Sequence, residues 1–215
     1  MKKIINVIFS VIFSVLIIST IIKFTVGFKQ LYYFDIEYLN IPVLSGLSKE
    51  DIKKNYDYMI DYNLDKDNKE FELPSIKSSE NGKIHFEEVR NIFQILNKIF
   101  KISLVLSIIG LVINILNKNI EFLKTTSKAL IVIPLILMLP IVVNFEGSFV
   151  LFHKTMFNND YWIFDYTTDP VITILPESFF MHCFMMIIVI VVVISLIMYL
   201  IYRKKRNLIL EEISE

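Results

Sequence analysis

The sequence predicts an α-helical integral membrane protein, with four transmembrane helices and a small extracytoplasmic domain between the first and second spans. Three observations carry this. Hydrophobic residues make up 54% of the 215 and charged residues 20%, where a soluble domain carries ~25% charged; mean hydropathy is +0.57. Four apolar runs approach or exceed the ~20 residues that cross a ~30 Å hydrocarbon core. Basic residues crowd the short flanks that four spans place on one side of the membrane.

The first run extends from Ile4 to Phe28 behind Lys2 and Lys3. It is longer than the ~7–15 residues of a signal-peptide core and contains no alanine for a cleavage site, so it reads as an uncleaved signal-anchor, residues 1–28. Lys23 is expected to snorkel to the outer interface. The second span is residues 99–116, between Lys98 and Asn117-Lys118. The third is residues 129–145, with Pro134 and Pro140 inside it, and proline kinks a membrane helix. The fourth is residues 179–202, ending at Arg203-Lys204-Lys205-Arg206.

Orientation follows the charges. Lys2, Lys3, Lys118, Lys124, Lys128 and residues 203–206 put nine basic residues on one side, whereas the loop 146–178 has only Lys154. Both termini are therefore expected in the cytoplasm, with the loop 117–128 and the tail 203–215. Segments 29–98 and 146–178 then face outward.

In the outer segment, residues 31–44 mix Tyr, Ile, Phe and Leu and read as extended or strand-like. Ser48-Lys49-Glu50-Asp51 reads as a helix start, a cap followed by acids, and Ile52, Tyr56, Met59 and Ile60 line one helical face. Residues 63–83, with Pro74 and Gly82, read as loop. A helix restarts near Ile84. Its stripe Phe86, Val89, Phe93, Leu96, Phe100 continues into the second span.

Composition excludes several functions. The 22 basic and 22 acidic residues give no net charge, so nothing favours nucleic acid electrostatically. A single cysteine, Cys183, excludes a disulfide framework and reads as a small buried apolar residue. Walker, Rossmann and Gly-x-Ser-x-Gly patterns are absent, so no nucleotide is expected.

The candidate chemistry lies on the outer face. His85 opens a helix, where the positive end of the dipole disfavours the imidazolium and leaves a neutral base; Glu88 at i+3 could orient its ring. His153 follows the third span in Phe152-His153-Lys154-Thr155-Met156-Phe157-Asn158-Asn159-Asp160-Tyr161-Trp162. The Trp and Tyr suit a headgroup zone, but that role leaves the His, Asn and Asp unaccounted for. His85, Glu88, His153 and Asp160 offer nitrogen and oxygen ligands, yet their spacing matches no zinc motif. His182 begins the fourth span beside Cys183, outside both clusters, and reads as inert.

The stretch Phe152–Asp165, then Thr168-Asp169-Pro170-Val171-Ile172, then Leu175-Pro176-Glu177-Ser178-Phe179-Phe180, resembles the signature of the bacterial lipoprotein intramolecular transacylases, a family of four-span membrane proteins. Gly82–Arg90, with its His85-x-x-Glu88-Val89-Arg90 pattern, is similar to the family's second motif, and Tyr56–Tyr62 to the segment before it. Tyr166 departs from the pattern, where proline is more usual. The resemblance covers nearly the whole chain. It implies transfer of a fatty acyl chain from the diacylglyceryl group of a lipoprotein to the α-amine of its N-terminal cysteine, giving a lyso form. The implied partners are that lipoprotein and the bilayer, with no cofactor, metal, nucleotide or nucleic acid. It implies His85 and His153 as catalytic residues, with Glu88, Asn159 and Asp160 supporting. Phe152, Trp162, Asp169, Pro170, Pro176 and Arg90 would bind substrate or shape the site. Two other readings stay open: another lipid hydrolase or acyltransferase using the same residues, and a non-catalytic membrane partner protein.

Overall fold

A computed structural model of the chain describes residues 2–65 and 70–214. In chain order its elements are α1 (Lys2–Gly27), α2 (Lys29–Tyr38), α3 (Ile41–Ser45), α4 (Lys49–Leu64), α5 (Glu80–Leu116), α6 (Glu121–Val143), α7 (Phe145–Met156), α8 (Val171–Ile174) and α9 (Glu177–Ser214). No strand occurs among the described residues. Part of the predicted 63–83 loop, residues 66–69, and the end residues Met1 and Glu215 lie outside the described residues.

The strand reading of residues 31–44 is overturned. They form α2 and α3, because Tyr32 and Ile36, one helical turn apart, are both buried. Aromatic and branched residues favour strands only where a pleated surface exists to pack them, and here the neighbours are helices. Asn40 stands between the two in the left-handed region, at φ 52°, a conformation asparagine tolerates. The Ser48 cap forms as expected: its hydroxyl accepts from the Asp51 N–H at 3.1 Å.

Other boundaries shift. α5 starts at Glu80 and runs unbroken through the second predicted span. α6 passes both prolines and ends at Val143. Asn144 then starts a new helix, its side chain accepting from the Gly147 N–H at 2.9 Å. The segment read as a loop from 146 thus begins with α7. The basic run 203–206 stays helical within α9. Among the described residues three helices, those covering Lys3–Gly27, Glu80–Leu116 and Glu177–Glu212, are long and apolar enough to cross a membrane.

The chain forms two units. One comprises Met1–Lys23, Asn97–Leu139 and Met186–Glu215. Its core centres on Ile21, Leu130, Val191 and Met198. Small residues line the packed faces, among them Ser10, Ser14, Ser103, Ser107, Thr126 and Ser195, all buried. Such residues let helix backbones approach where lipid removes the hydrophobic driving force. A Cβ at Gly110 would collide with the Phe9 ring. Lys23 does not simply snorkel: its ammonium donates to Asn97 Oδ1 at 2.7 Å and lies 4.3 Å from the Phe100 ring centre.

The other unit comprises Phe24–Leu96 and Pro140–Met185. Its core joins Tyr32, Ile36, Ile41, Ile52, Tyr56 and Met59 to Phe71, Phe86, Val171, Ile174 and Phe179. The rings of Tyr32 and Tyr56 stack at 3.7 Å, and Tyr32 donates to the Ile174 carbonyl at 2.6 Å. The packing holds α2, α4 and α8 together. It fixes the segment after α7, most of which has no regular structure, against helices distant in sequence.

Candidate active site

The second unit brings His85 and His153 together, with ring centres 6.0 Å apart. His85, in the second turn of α5, is only 5% exposed. The rings of Phe157 and Phe164 meet it edge-on at 4.7 and 5.4 Å. His153 occupies the last turn of α7, between the rings of Phe149 at 4.1 Å and Trp162 at 4.8 Å.

Burial sets the protonation of both. It pushes the His85 pKa down to about 4, with repulsion from His153 as the smaller cause. The helix dipole is not the reason, since its effect fades within the first turn. His153 is also lowered by burial, against an opposing hydrogen bond to the Phe149 carbonyl. Both imidazoles are neutral at pH 7. That hydrogen bond, 2.7 Å from His153 Nδ1, also fixes the tautomer. A carbonyl can only accept, so Nδ1 carries the proton and Nε2 of the neutral ring holds the lone pair.

A polar clasp surrounds the pair. Asn159 Nδ2 donates to Glu88 Oε1 at 2.8 Å, the Asn159 side-chain oxygen accepts from the Tyr161 N–H, and its backbone carbonyl accepts from Trp162 Nε1 at 3.1 Å. Glu88 therefore holds Asn159, not the His85 ring as its i+3 spacing suggested. The second carboxylate oxygen, Glu88 Oε2, and His85 Nδ1 are both buried without a hydrogen-bond partner among the described residues. Unpaired buried polar atoms are costly and rare, and at a site they are open to a substrate.

The remaining candidates divide. Phe152 meets His153 edge-on at 5.4 Å. Asp169 is buried, and its Oδ1 accepts from the Ser79 N–H at 2.7 Å, tying the entry of α5 to the segment before α8. Pro170 precedes α8, and the Pro176 carbonyl accepts from the Phe179 N–H at the start of α9. Arg90 donates to the Asp65 carbonyl at 3.3 Å and lies over Tyr62, bracing the end of α4. Asp160 is not brought to the histidines: its side chain is exposed, and among the described residues it bonds to no member of the site.

Sequence reasoning missed the partners of the histidines. Phe149, which holds and flanks His153, sits one helical turn before it and would have been found had α7 been recognised. His182 was read as inert, yet its Nδ1 lies 2.8 and 3.0 Å from the two oxygens of fully buried Asp35. Across 147 positions no sequence signal links the two.

A sequence model of the lipoprotein intramolecular transacylase Lit matches residues 7–180. The chain belongs to the lipoprotein intramolecular transacylase family. Solved structures of the membrane-integral lipoprotein intramolecular transacylase Lit from Bacillus cereus are similar to it throughout. One is 39% identical, covers 97% of this chain and 98% of its own, and has a TM-score of 0.91. Two variants of that protein, each with one histidine replaced (by arginine in one, by alanine in the other), match at TM-scores of 0.88 and 39% identity. They cover 97% of this chain and 94% and 96% of their own. No curated protein matches the chain. This member of the transacylase family is accordingly an enzyme of the membrane, and its reaction is intramolecular acyl transfer on a lipoprotein.

Proposed function

We propose that the enzyme moves a fatty acyl chain from the diacylglyceryl group of a lipoprotein to the α-amine of the same N-terminal cysteine, with His153 as general base and His85 as hydrogen-bond donor. The observation that carries this is the pair of neutral imidazoles 6.0 Å apart, one of them with its tautomer fixed. The amine attacks the ester carbonyl, forming a C–N bond. His153 Nε2 takes the amine proton, and His85 donates an N–H to the developing oxyanion. Collapse breaks the bond to the glyceryl oxygen, which takes the proton back from His153. Donor and acceptor belong to one molecule, so proximity supplies several kcal/mol of the barrier. The clasp of Glu88, Asn159 and Trp162 holds His153 and the adjoining segment in register.

The same reading takes four spans, within α1, α5, α6 and α9, and puts both termini in the cytoplasm with 29–98 and 146–178 outside. The nine basic residues of the cytoplasmic flanks support it, as does the chemistry, since a lipid-anchored substrate must meet the histidines at the membrane surface.

The test is mass spectrometry of a diacylglyceryl lipopeptide incubated with the protein in liposomes. The expected product has unchanged mass, with one acyl chain moved from glycerol to nitrogen. A mixture of deuterated-acyl and unlabelled-acyl lipopeptides should give no mixed species. Release of free fatty acid, or scrambling of label between molecules, would make it a hydrolase or an intermolecular transferase.

A further inference from the structure

We propose that α2 and α3 form a lipid-docking surface: Val43 and Leu44, at the tip of α3, seat among the acyl chains of the outer leaflet with Phe34 and Tyr38 of α2 at headgroup level, and this seat sets the height of the histidine pair at the membrane. The height, and the leaflet's being the outer one, rest on the reading above; the lipid contact does not.

Only Phe28 stands between α2 and α1, a helix long and apolar enough to cross a membrane. The surface therefore starts at the end of a span. Phe24, in the last turn of α1, is half exposed and stacks on Phe28 at 5.5 Å. Phe34 and Tyr38, one turn apart on α2, are 60% and 64% exposed and stack at 5.3 Å. Val43 is 82% exposed and Leu44 62%. Apolar side chains exposed singly are ordinary, whereas a group of large ones on two successive short helices marks a contact surface.

Charge decides what covers it. From Tyr38 to Ser48 the chain has no Asp, Glu, Lys or Arg, eleven residues and the longest such run between residues 29 and 98. The two charges that bracket the run, Glu37 and Lys49, are ion-paired with each other. A protein partner is met by a polar rim; an uncharged tip above a base of aromatic rings fits the boundary between acyl chains and headgroups. The backbone agrees, since in lipid every main-chain polar group needs an internal partner. The N–H groups of Val43 and Leu44 donate to the Asn40 carbonyl at 3.0 and 3.2 Å, and that of Gly46 donates to the Pro42 carbonyl at 2.9 Å. Pro42 has no N–H to place. Left-handed conformations at Asn40 and Gly46, φ 52° and 70°, turn the chain on both sides of the tip.

The tip is tied to the frame of the site. Ile41, fully buried, shares a core with Val171 and Ile174 of α8, and Tyr32 of α2 bonds the Ile174 carbonyl. Depth at α3 is thereby carried to the segment that flanks the histidines.

Single cysteines at Val43, at Leu44 and, as a control, at exposed Lys54 of α4 are placed in a Cys183→Ser background, labelled with an environment-sensitive fluorophore and reconstituted in phosphatidylcholine liposomes. Labels at 43 and 44 should be quenched by phosphatidylcholine carrying a nitroxide just below the headgroup and shielded from aqueous iodide; the label at 54 should behave the opposite way. Iodide quenching at 43 and 44 equal to that at 54 overturns the lipid contact. So does shielding from iodide without nitroxide quenching, which would identify a second copy of the chain as the cover. These readings need no turnover and are the same on either membrane face, so failure of the acyl transfer or of the proposed topology leaves them standing. For the height, Val43→Asp combined with Leu44→Asp should lower conversion of a diacylglyceryl lipopeptide in liposomes about tenfold, because two aliphatic side chains lose their burial. Conversion of a water-soluble, short-chain lipopeptide should be unaltered. Equal losses on the two substrates, or no loss on either, overturn the role in setting the height.

Discussion

Glu88 in α5 and Asn159 in the segment after α7 are joined by a 2.8 Å hydrogen bond across 71 positions of sequence. Through Asn159 the carboxylate reaches Trp162, whose ring flanks His153. The two stretches that carry the histidines thus meet in a hydrogen-bonded clasp as well as in the histidine pair. Glu88→Ala and Asn159→Ala should each lower acyl transfer about tenfold to a hundredfold. The double variant should cost much less than the product of the singles, since both remove one interaction. Rates of lipopeptide conversion in the four proteins measure the coupling, and full additivity would mean that the bond has no part in activity.

His85→Ala and His153→Ala should each reduce acyl transfer roughly 100-fold or more, since a general base contributes about 10²–10⁴ in rate, that is about 3–5 kcal/mol of barrier. Thermal unfolding in micelles separates this from instability. Near wild-type rates in both variants would remove the histidines from the mechanism. Trp162→Ala should lower both activity and unfolding temperature, as it strips one face of His153.

Gly82→Ala should destabilise the protein. A Cβ there would fall against Asp169 Oδ1, and that oxygen is held by the Ser79 N–H. Displacing it loses a charge-assisted hydrogen bond at a buried carboxylate, about 1.5–3 kcal/mol. Asp169→Asn should produce a loss of the same sign, read as a lower unfolding midpoint. An unaltered midpoint in both would show that the contact gives way at no cost.

Stability should fall on acidification. The His85 pKa is about 4 in the folded protein against ~6.5 in an unfolded chain, so the unfolded state binds more protons between those values. Folding is favoured fully above about pH 6.5 and loses ground as pH drops toward 4, by on the order of 1 kcal/mol per pH unit in that window. The lowered His153 adds in the same direction. Unfolding midpoints between pH 4.5 and 7.5 should slope in the wild type and flatten in His85→Gln.

Single cysteines introduced at Lys77 and Lys205, in a Cys183→Ser background, should differ in intact cells. An impermeant maleimide should label residue 77 and spare residue 205 until the cells are opened. Labelling of residue 205 from outside would reverse the proposed orientation.

The apolar runs, the Ser48 cap, the period of Ile52–Ile60 and the motif around His153 were legible in the sequence because each depends on residues a few positions apart. Hydropathy and capping are local, so they name helices and candidate histidines without any knowledge of neighbours. Residues 31–44 escaped that reading because their pattern suits a strand as well as a helix, and only burial of Tyr32 and Ile36 in a helical core decides between them. The end of α6 and the start of α7 were blurred for a similar reason: apolar residues continue across Asn144, and the cap on Gly147 marks the break. What only the tertiary structure decided was pairing. The approach of His85 to His153, the bond from Glu88 to Asn159 and the grip of Asp35 on His182 all join distant segments, and a local pattern carries no term for a contact that exists only once a core has formed.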